Sequence, residues 1–587
     1  MKFILTAINA KYIHSNLAIY DLKAYCQQYK EHIELAEYTI NHNIEYILTD
    51  LYRKNPDAVA FSCYIWNIAI VEVLIREIYK VLPDIKIWLG GPEVSYRAEA
   101  LLKQHPYLQG VMVGEGEQAF LQLMEHYITK DRALSEVQNL VYQDNEGIHK
   151  NKQGPLLALS EVPFPYEDME KFENRIIYYE SSRGCPYSCS YCLSSVEKKL
   201  RFRNLELVEK ELQFFLDRKV KQVKFVDRTF NVWHTHAMAI WQYIFNHDNG
   251  VTNFHFEIAA DLLTKEEIAL LQQMRPGLVQ LEIGIQSTNR QTIKEICRTM
   301  DIGKVSQVVK EIHKNRNIHV HLDLIAGLPY EDYYSFCQSF NDVYAMEPDQ
   351  LQLGFLKVLS GTDMLSKTAE YGLVFHDTPP YEVLFTDWLS YQDIILLKGV
   401  EEMVEIYYNS AQFSASIKRL QAYFTTPFAM YYALAEFYRD QGFEEKKQNR
   451  LENYNLLRIF AEKVMPEIEY GKFVECLVYD LYVRENRKSR PEFAKGIEPY
   501  KKIIKAFYQT EAKERYYLPD YQGFDGKQLA RMTHLEHFSC HPLTEEKQEI
   551  FLLFDYNKRN PLSYDAAVIE LRKGDLYAFT NHIEEKG

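Results

Sequence analysis

The stretch that decides the fold is residues 181–193, SSRGCPYSCSYCL, which places three cysteines close together in one loop. Cys185, Cys189 and Cys192 form a C-x3-C-x2-C set, and a loop of this kind can supply thiolates to three irons of a [4Fe–4S] cube. The fourth iron then keeps an open coordination position. A cluster with an open iron can bind and reductively cleave a small molecule, whereas a fully ligated cluster only passes electrons.

Two other interpretations of these cysteines stay open on spacing alone. A structural zinc site normally has a fourth Cys or His and paired C-x2-C knuckles, and no second knuckle in the sequence matches the first. The other interpretation is chance clustering of thiols. The remaining cysteines are scattered, which predicts buried thiols in a reducing compartment rather than disulfides or an auxiliary cluster; they are Cys26, Cys63, Cys297, Cys337, Cys476 and Cys540.

The internal residues of the loop carry a family resemblance. RGCPYSCSYC, with a Gly and a Pro that set the turn and the aromatic Tyr191 before the last cysteine, closely resembles the cluster loop of the radical S-adenosylmethionine (radical SAM) enzymes. The resemblance implies that the amino and carboxylate groups of SAM chelate the open iron. It also implies that electron transfer to SAM releases a 5′-deoxyadenosyl radical.

Residues 1–130 alternate strand and helix signals. KFILTAIN, DAVAFSCYIW and IKIWLGG are typical of buried strands, and amphipathic helices such as VEVLIREIYKVL separate the strands. This order predicts an α/β fold with a doubly wound, Rossmann-like parallel sheet, in which ligands bind at the carboxyl ends of the strands. Two glycine turns, GGPE from Gly90 and GEGE from Gly114, follow strands and allow close backbone approach to a large ligand.

This domain, placed just before a radical SAM core, resembles the cobalamin-binding domain of the B12-dependent radical SAM enzymes. The D-x-H-x-x-G motif, whose His would ligate cobalt, is absent, since His14 has no Asp two positions before it. We interpret His14 as an ordinary polar residue. The alternative is a domain that keeps the fold for docking or substrate positioning without the cofactor. The resemblance implies cobalamin contacts at Asn9, Ser62, Gly90, Gly91, Glu93, Gly114 and Glu115.

Residues 131–172 are predicted to connect two domains. VQNLVYQDNEGIHKNKQG is typical of a small hairpin that turns at residues 144–147. LSEVPFPYEDME contains two prolines, which favour an extended strap. We expect the strap to lie across the domain that follows.

Residues 173–372 alternate strands and helices again. RIIYYESS leads into the cluster loop, and five further strand signals follow with helical stretches between them. Six βα units predict a partial (β/α)6 barrel, in which active groups sit at the carboxyl ends of the strands. The cluster loop follows the first of these strands, where that rule places the chemistry.

His234 and His236 have metal-ligand spacing, but nothing near them in the sequence supplies further ligands, so we interpret both as surface or helix-start histidines.

The family resemblance assigns SAM contacts to the other strand ends. The implied SAM set is Tyr191 in the cluster loop; Asp227, Arg228 and Thr229, at the position of the methionine amino group; Glu257, at the next strand end; Glu282, Gln286 and Ser287, which resemble the ribose set; Arg298, suited to the carboxylate; Ile325 and Gly327, on the adenine-contacting strand; and Leu356, on its neighbour.

Residues 373–587 change to long amphipathic helices, with strand-like alternation near the end. This region resembles an uncharacterised domain that follows the core in one subfamily of B12-type radical SAM proteins. We expect a mostly α-helical domain that closes the barrel mouth and selects the substrate. Its segment 484–514 is rich in lysine and arginine with interleaved aromatics. A solvated helical face or a surface that grips RNA would each explain this composition.

Composition limits the classes of function. The 587-residue chain has a net charge of −15, which argues against broad binding to nucleic acid. No run approaches the roughly 18 to 20 apolar residues of a membrane span. The start, MKFILTAINAKYIHS, has neither a basic leader nor a small-residue cleavage site, so we expect a cytoplasmic protein without a signal peptide.

Together these patterns predict a radical SAM enzyme. It would cleave SAM at the [4Fe–4S] cluster to form a 5′-deoxyadenosyl radical and use cobalamin for radical methyl transfer to an unactivated carbon. The alternatives are a cobalamin-independent radical SAM enzyme, an RNA-modifying radical SAM enzyme and a non-catalytic iron–sulfur scaffold. The expected partners are a low-potential electron donor, such as flavodoxin or ferredoxin, and an unknown substrate. Membrane binding is not expected, and nucleic-acid binding is an open alternative that the sequence does not favour.

Overall fold

The structure is a computed structural model that describes residues 1–443, 448–544, 549–572, 574 and 576. It divides into two compact units. The first unit comprises Met1–Phe336 and Gly354–Tyr391, and the second comprises Cys337–Leu353 and Gln392–Gly587. The first unit therefore contains the first predicted α/β region and most of the second, of which residues 337–353 belong to the second unit.

The first region is a parallel sheet with helices on both faces. Alternate residues of its first strand belong to different hydrophobic cores: Ile4 and Ile8 pack in one, whereas Phe3 and Leu5 pack in the other. This pattern confirms the predicted doubly wound sheet. Its elements are β1 (Phe3–Asn9), α1 (Leu17–Tyr25), β2 (Ile33–Thr39), α2 (Ile44–Arg53), β3 (Ala58–Ser62), α3 (Ile68–Val81), β4 (Lys86–Gly90), α4 (Pro92–Ser95), α5 (Ala98–Gln104), β5 (Gly110–Met112) and α6 (Glu117–Met124).

The strand order is β2-β1-β3-β4-β5, so the winding direction reverses between β1 and β3. All of these neighbours pair in parallel. In sheets of this order, ligands bind beyond the carboxyl ends of the strands at the reversal. The ends of β1 and β3 are therefore the first place to look for a ligand.

The predicted hairpin forms from β6 (Leu140–Asp144) and β7 (Gly147–Lys150). It pairs antiparallel with β5 and extends the first sheet to seven strands, although the sequence pattern places it in a connector. The strap that follows crosses the next region as predicted, because Arg203 donates to the carbonyls of Leu159 and Val162 at 2.7 and 2.8 Å. The exact domain bounds stay predictions.

The second region builds a sheet whose parallel strands follow the order of the chain. Helices separate the strands, as expected for a partial (β/α) barrel. Its elements are β8 (Ile177–Tyr179), β9 (Ser182–Arg183), β10 (Arg201–Phe202), α7 (Leu205–Asp217), β11 (Gln222–Phe225), α8 (His234–Asn246), β12 (Asn253–Glu257), α9 (Lys265–Gln273), β13 (Val279–Gln286), α10 (Arg290–Glu295), α11 (Ile302–His313), β14 (His319–Ala326), α12 (Tyr333–Tyr344), β15 (Gln350–Phe355), α13 (Asp363–Ser366), β16 (Val374–Phe375) and β17 (Val383–Phe385).

The C-terminal region is mostly helical, as predicted, and ends in a three-stranded antiparallel sheet. The buried Asp480 accepts the backbone N–H groups of Ala415 and Ser416 at 3.0 and 2.9 Å and so fixes the start of one helix. The elements are α14 (Tyr391–Val404), α15 (Ser414–Gln421), α16 (Pro427–Asp440), α17 (Arg450–Val464), α18 (Glu467–Arg484), α19 (Lys501–Glu514), α20 (Gly526–Met532), β18 (Thr533–Phe538), β19 (Ile550–Arg559) and β20 (Ala566–Arg572).

Membrane-spanning helices were sought among the described residues. None of the helices there combines the length and the apolar character that crossing a membrane requires.

Candidate functional site

The cluster loop leaves the carboxyl end of β8 and folds back on a nearby backbone segment. Gly184 has φ of 97°, and a Cβ at this position would lie 2.5 Å from the carbonyl oxygen of Lys199. The N–H of Cys185 donates to the carbonyl oxygen of Glu197 at 2.9 Å. The positive φ and the close approach both require glycine, so the residue before the first cysteine is fixed by backbone geometry.

The three thiols lie close enough to influence one another but not as ligands of one small ion. Burial raises the pKa of Cys189, and the neighbouring Cys192 and Cys185 raise it further. Sulfur atoms around a tetrahedral zinc lie about 3.8 Å apart, given Zn–S distances near 2.3 Å. In the described part of the chain, one group of three potential metal-binding residues has its ligand atoms, one from each residue, within 4.8 Å of one another. This group contains no cysteine. The spacing disfavours zinc at the cluster loop.

Arg298 joins the cluster loop to the end of β13. Its Nη1 lies 3.8 Å from the sulfur of Cys189, and its Nη2 donates to the carbonyl oxygen of Gly284. The Nε of Arg298, the Oε1 of Gln286 and the Oγ of Ser190 are buried and have no hydrogen-bond partner. Unsatisfied buried polar atoms cost free energy. Gln286 and Arg298 also lie together at Gly284, so their unsatisfied atoms form a cradle for polar groups such as those of SAM.

Gln286 has an unusual backbone for its residue type. Its φ is 71°, and the pairing of β13 with β14 shifts register between Gly284 and Gln286. A Cβ on Gly284 would lie 2.1 Å from Nε2 of Gln286 and 3.5 Å from Nη2 of Arg298. Strain of this kind is often stored where a ligand binds. The predicted SAM residues Gln286 and Arg298 therefore lie together beside the cysteines.

Asp227 has a different place from the predicted SAM contact. It is fully buried, and its carboxylate accepts the N–H of Ser181 at 2.9 Å and the hydroxyls of Ser181 and Ser182 at 2.6 Å each. Burial raises its pKa to about 6, although these hydrogen bonds oppose the shift. Asp227 therefore holds the start of the cluster loop. His236, predicted as a surface or helix-start histidine, is also buried, and its Nε2 lies 3.3 Å from Ser181 Oγ.

Two members of the predicted ribose set lie elsewhere. The Ser287 side chain is fully buried and donates to Oε1 of Glu331 at 2.6 Å. Glu282 lies deeper on β13, where its Oε2 is 2.9 Å from Lys224 Nζ and 2.9 Å from His255 Nε2. Glu282 faces His321 of β14 and Gln286 faces Leu324, so three strand steps, about 10 Å, separate the two residues.

The remaining predicted SAM residues are spread over the strand ends. Arg228 is half-exposed and lies 4.0 Å from Glu257, whose pKa burial raises to about 7. Gly327 has φ of 89°, and a Cβ there would lie 2.7 Å from Val383, so protein packing explains the glycine. Three further candidates, Tyr191, Thr229 and Ile325, are half-buried. Their roles as SAM contacts stay predictions.

Leu356 is also a predicted SAM contact. In the structure it is buried, and its backbone is hydrogen-bonded to two neighbouring segments. Its N–H donates to Ala326 and its carbonyl accepts from Val383, at 2.9 and 2.8 Å.

The predicted cobalamin residues lie at one edge of the first sheet. Asn9, Ser62 and Gly90 end β1, β3 and β4. The side-chain N–H groups of Asn9 donate to the carbonyl of His14 and to Glu37, at 3.1 Å each. Gly114 has φ of 76° and borders open space, since a Cβ there meets nothing within 4 Å. The strand ends are therefore brought together as predicted.

Protein neighbours explain three of the predicted cobalamin residues. A Cβ on Gly91 would lie 2.5 Å from the carbonyl oxygen of Cys63. Glu93 accepts a 2.6 Å hydrogen bond from Tyr381. Glu115 pairs with Arg201 through both carboxylate oxygens. We assign Glu93 and Glu115 to contacts within the protein.

Two aromatic side chains at the same edge were missed. Tyr64 and Trp66 follow β3 and stack with centroids 4.4 Å apart and planes 8° apart. Trp66 is 42% exposed, although its Nε1 donates to the carbonyl oxygen of Ile8. A stacked aromatic pair with Trp66 exposed, beside the β1/β3 reversal, fits a large, flat, partly apolar ligand such as a corrin. The signal was present in the sequence, SCYIWN, but its periodicity indicates only a buried strand.

His14 gives no sign of a metal ligand. Its Nδ1 lies 2.7 Å from the hydroxyl of Tyr178 on β8, and burial lowers its pKa. Ile176 N–H donates to the carbonyl oxygen of Ile13 at 2.7 Å. The loop after β1 is therefore attached to the second sheet, in agreement with the interpretation of His14 as an ordinary polar residue.

The basic segment 484–514 is largely ion-paired. Arg484 pairs with Asp565 at 2.9 Å, and Arg490 pairs with Glu536 at 2.7 Å. Arg487, Lys495 and Lys501 also have carboxylate partners, at 2.8, 2.8 and 2.7 Å. These partners neutralise charge that an RNA phosphate would require, so the structure favours the solvated-face interpretation.

Comparison with known protein families divides the chain into three matches. Residues 4–124 match the model of the B12 binding domain, and residues 179–343 match that of the radical SAM superfamily. Residues 369–554 match a protein of unknown function, DUF4080. The segments correspond in order to the three predicted domains.

Two curated relatives are methyltransferases by name. The chain is 26% identical over 343 residues to the cobalamin-dependent radical SAM methyltransferase TokK of Streptomyces tokunonensis, covering 54% of this chain and 50% of that protein. It is 25% identical over 305 residues to 2-(S-pantetheinyl)-carbapenam-3-carboxylate methyltransferase of Streptantibioticus cattleyicolor, covering 48% and 44%. The chain thus spans about half the length of these relatives.

Solved structures share the fold. The cobalamin-dependent SAM radical enzyme OxsB with aqua-cobalamin superposes with a TM-score of 0.57 at 16% identity, covering 81% of this chain and 80% of that one. The radical SAM methyltransferase TsrM from Kitasatospora setae, with cobalamin and a [4Fe–4S] cluster, gives 0.53 at 16% identity, covering 65% and 79%. At this identity the likeness shows the fold.

Proposed function

Because this chain is a radical SAM protein with a B12 binding domain and a DUF4080 domain, we propose that it is a cobalamin-dependent radical SAM methyltransferase that acts on an unactivated carbon. The observation that carries the proposal is the cradle beside the cysteines. There Arg298 contacts Cys189, and Arg298, Gln286 and Ser190 each present a buried atom without a partner. These atoms match the polar groups of SAM.

The protein side of the reaction is positioning and charge. Cys185, Cys189 and Cys192 would hold the cluster, with a flavodoxin or ferredoxin as electron donor. When bound, SAM at the cluster supplies a 5′-deoxyadenosyl radical that takes a substrate hydrogen, and cobalamin supplies the methyl group. The guanidinium of Arg298 lies beside the thiolates and stabilises their negative charge, while its fork is suited to the SAM carboxylate.

The first sheet supports the cobalamin part of the proposal. Gly114 borders open space, and the stacked pair of Tyr64 and Trp66 offers an aromatic surface at the β1/β3 reversal. The D-x-H-x-x-G motif is absent, and Nδ1 of His14 lies 2.7 Å from the hydroxyl of Tyr178. We expect a bound corrin to have no protein imidazole ligand.

The first experiment measures corrin. Protein is purified without oxygen from cells supplied with B12, and its corrin content and ultraviolet–visible spectrum are recorded. About one corrin per chain, with a spectrum that lacks an imidazole ligand, supports the proposal. No corrin in a protein that still cleaves SAM removes methyl transfer and favours a cobalamin-independent rearrangement, ring formation or thiolation.

The second experiment tests catalysis at the cluster. Reduced, reconstituted protein is incubated with SAM, and 5′-deoxyadenosine is measured for the wild type, Cys185→Ala and Cys540→Ala. We expect release by the wild type and by Cys540→Ala, since Cys540 lies in the second unit, and none by Cys185→Ala. Absence of 5′-deoxyadenosine from a wild type with four irons per chain would favour a non-catalytic iron–sulfur scaffold.

A further inference from the structure

A second group of possible ligands lies within the second sheet, away from the cysteines. His255 is on β12, Glu282 is on β13, and His321 and Asp323 are on β14. Glu282 and His321 are direct neighbours in the β13–β14 register. One ligand atom from each of Glu282, His321 and Asp323 lies within 4.8 Å of the others. His255 Nε2 is 2.9 Å from Glu282 Oε2 and extends the group to a third strand.

Three atoms of this group are buried without hydrogen-bond partners. They are Nε2 of His255, Nε2 of His321 and Oδ1 of Asp323. Only 8% of each histidine side chain is exposed. His321 Nε2 lies 2.9 Å from Asp323 Oδ1, yet the pair does not have the geometry of a hydrogen bond. A ring nitrogen that donates points its N–H at the oxygen, so something other than a direct hydrogen bond must satisfy these atoms.

A positive ion between the side chains would satisfy them together. We propose that His255, Glu282, His321 and Asp323 bind a divalent transition metal ion, zinc or ferrous iron. Imidazole nitrogens with carboxylate oxygens are the usual ligands of both ions. Lys224, 2.9 Å from Glu282 Oε2, offsets one carboxylate charge and leaves the other oxygen of Glu282 for the ion.

The ion is distinct from the iron–sulfur cluster. In the register of β14 three strand steps separate Glu282 from Gln286, which places the ion about 10 Å from the SAM cradle along β13. None of the four ligands is a cysteine. If three side chains coordinate the ion, it keeps an open position that an oxygen atom of a substrate can occupy, where the ion acts as a Lewis acid and orients that oxygen.

The experiment loads zinc into protein that already contains its cluster. Free zinc is buffered with a chelator, and iron and zinc are counted by elemental analysis in the wild type, His321→Asn, Asp323→Asn and His247→Asn. His247 is an exposed histidine at the end of α8 and controls for weak surface binding. We expect about one zinc per chain in the wild type and in His247→Asn, and at least a tenfold loss of zinc affinity in the other two variants.

X-ray absorption at the zinc edge gives a readout that does not depend on the folding of variants. In the wild type we expect a shell of nitrogen and oxygen atoms at about 2.0–2.2 Å. A shell with sulfur at about 2.3 Å would place the zinc on cysteines and overturn the proposal. Wild-type protein that binds no zinc, or His321→Asn and Asp323→Asn proteins that bind it as well as the wild type, would also overturn it.

Discussion

Replacing Gly184 by alanine tests how the cluster loop is fixed. The added Cβ would lie 2.5 Å from the carbonyl oxygen of Lys199 and 3.4 Å from that of Glu197. Relief to ordinary contact needs a shift of about 0.9 Å, from 2.5 to 3.4 Å. The shifted backbone carries the N–H of Cys185, which donates to Glu197 at 2.9 Å. The first cysteine therefore moves away from its place in the loop.

The free-energy cost of Gly184→Ala has two parts. An alanine at positive φ costs about 1–2 kcal/mol, and forcing a methyl group into a packed site costs about 1–3 kcal/mol. Gly250→Ala is the matched control, because Gly250 also has positive φ, 74°, but its Cβ would meet nothing within 4 Å. The steric part, about 2 kcal/mol, distinguishes the variants and corresponds to roughly 30-fold weaker cluster binding.

The assay is cluster retention. Both variants are reconstituted without oxygen, and the loss of iron to a competing chelator is followed by iron and sulfide counts. We expect Gly184→Ala to lose its cluster at least tenfold more readily than Gly250→Ala. Equal retention by the two variants would refute the argument that the contact with Lys199 sets the loop.

Three further predictions concern other parts of the first unit. Arg201→Met leaves the carboxylate of Glu115 without its bidentate partner, so we expect the unfolding free energy to fall by about 3 kcal/mol. The double variant Glu115→Met/Arg201→Met should recover part of this loss. A double variant whose loss equals the sum of the losses of both single variants would show no coupling. Gly114→Ala adds a methyl group in open space, so we expect unchanged iron but less bound corrin, and full corrin content would remove Gly114 from the proposed contacts. Burial raises the pKa of Asp227 to about 6 in the folded protein, above the usual 3.8, so it contributes about 3 kcal/mol of stability below pH 4 that is lost as the pH rises through 6. Asp227→Asn should flatten this part of the stability profile, measured by urea unfolding between pH 4 and 7. An unchanged profile contradicts the assignment.

Local sequence patterns predicted the elements of the first unit well. Buried runs of alternating strand and helix type predicted the succession of strands and helices in both regions, and the spacing of three cysteines located the cluster loop after the first strand of the second region. These features depend on neighbours within a few residues, where periodicity and turn chemistry determine the result. The hairpin of β6 and β7 was predicted as a hairpin, but its pattern could not reveal that β5 is its partner.

The partners of polar side chains were beyond this reasoning. Asp227 pairs with Ser181, 46 residues away, and Glu115 pairs with Arg201, 86 residues away. Strand periodicity places all four residues at strand ends or in loops, where a ligand contact and an ion pair have the same local signature. Only the three-dimensional positions of the distant partners distinguish a side chain that faces a ligand from one that holds the protein together.

The GEGE turn after β5 forms ion pairs with two arginines, Arg183 and Arg201. Arg183, two residues before the first cysteine, lies 2.8 Å from Glu117 and 3.5 Å from Glu115. Burial alone would raise the pKa of Glu115, but Arg201 and Arg183 outweigh it and hold the pKa below its usual value. The turn that follows β5 in the B12 binding domain is therefore ion-paired to the strand that carries the cluster loop. If both cofactors act on one substrate, as proposed, these arginines would hold the two loops at a fixed distance.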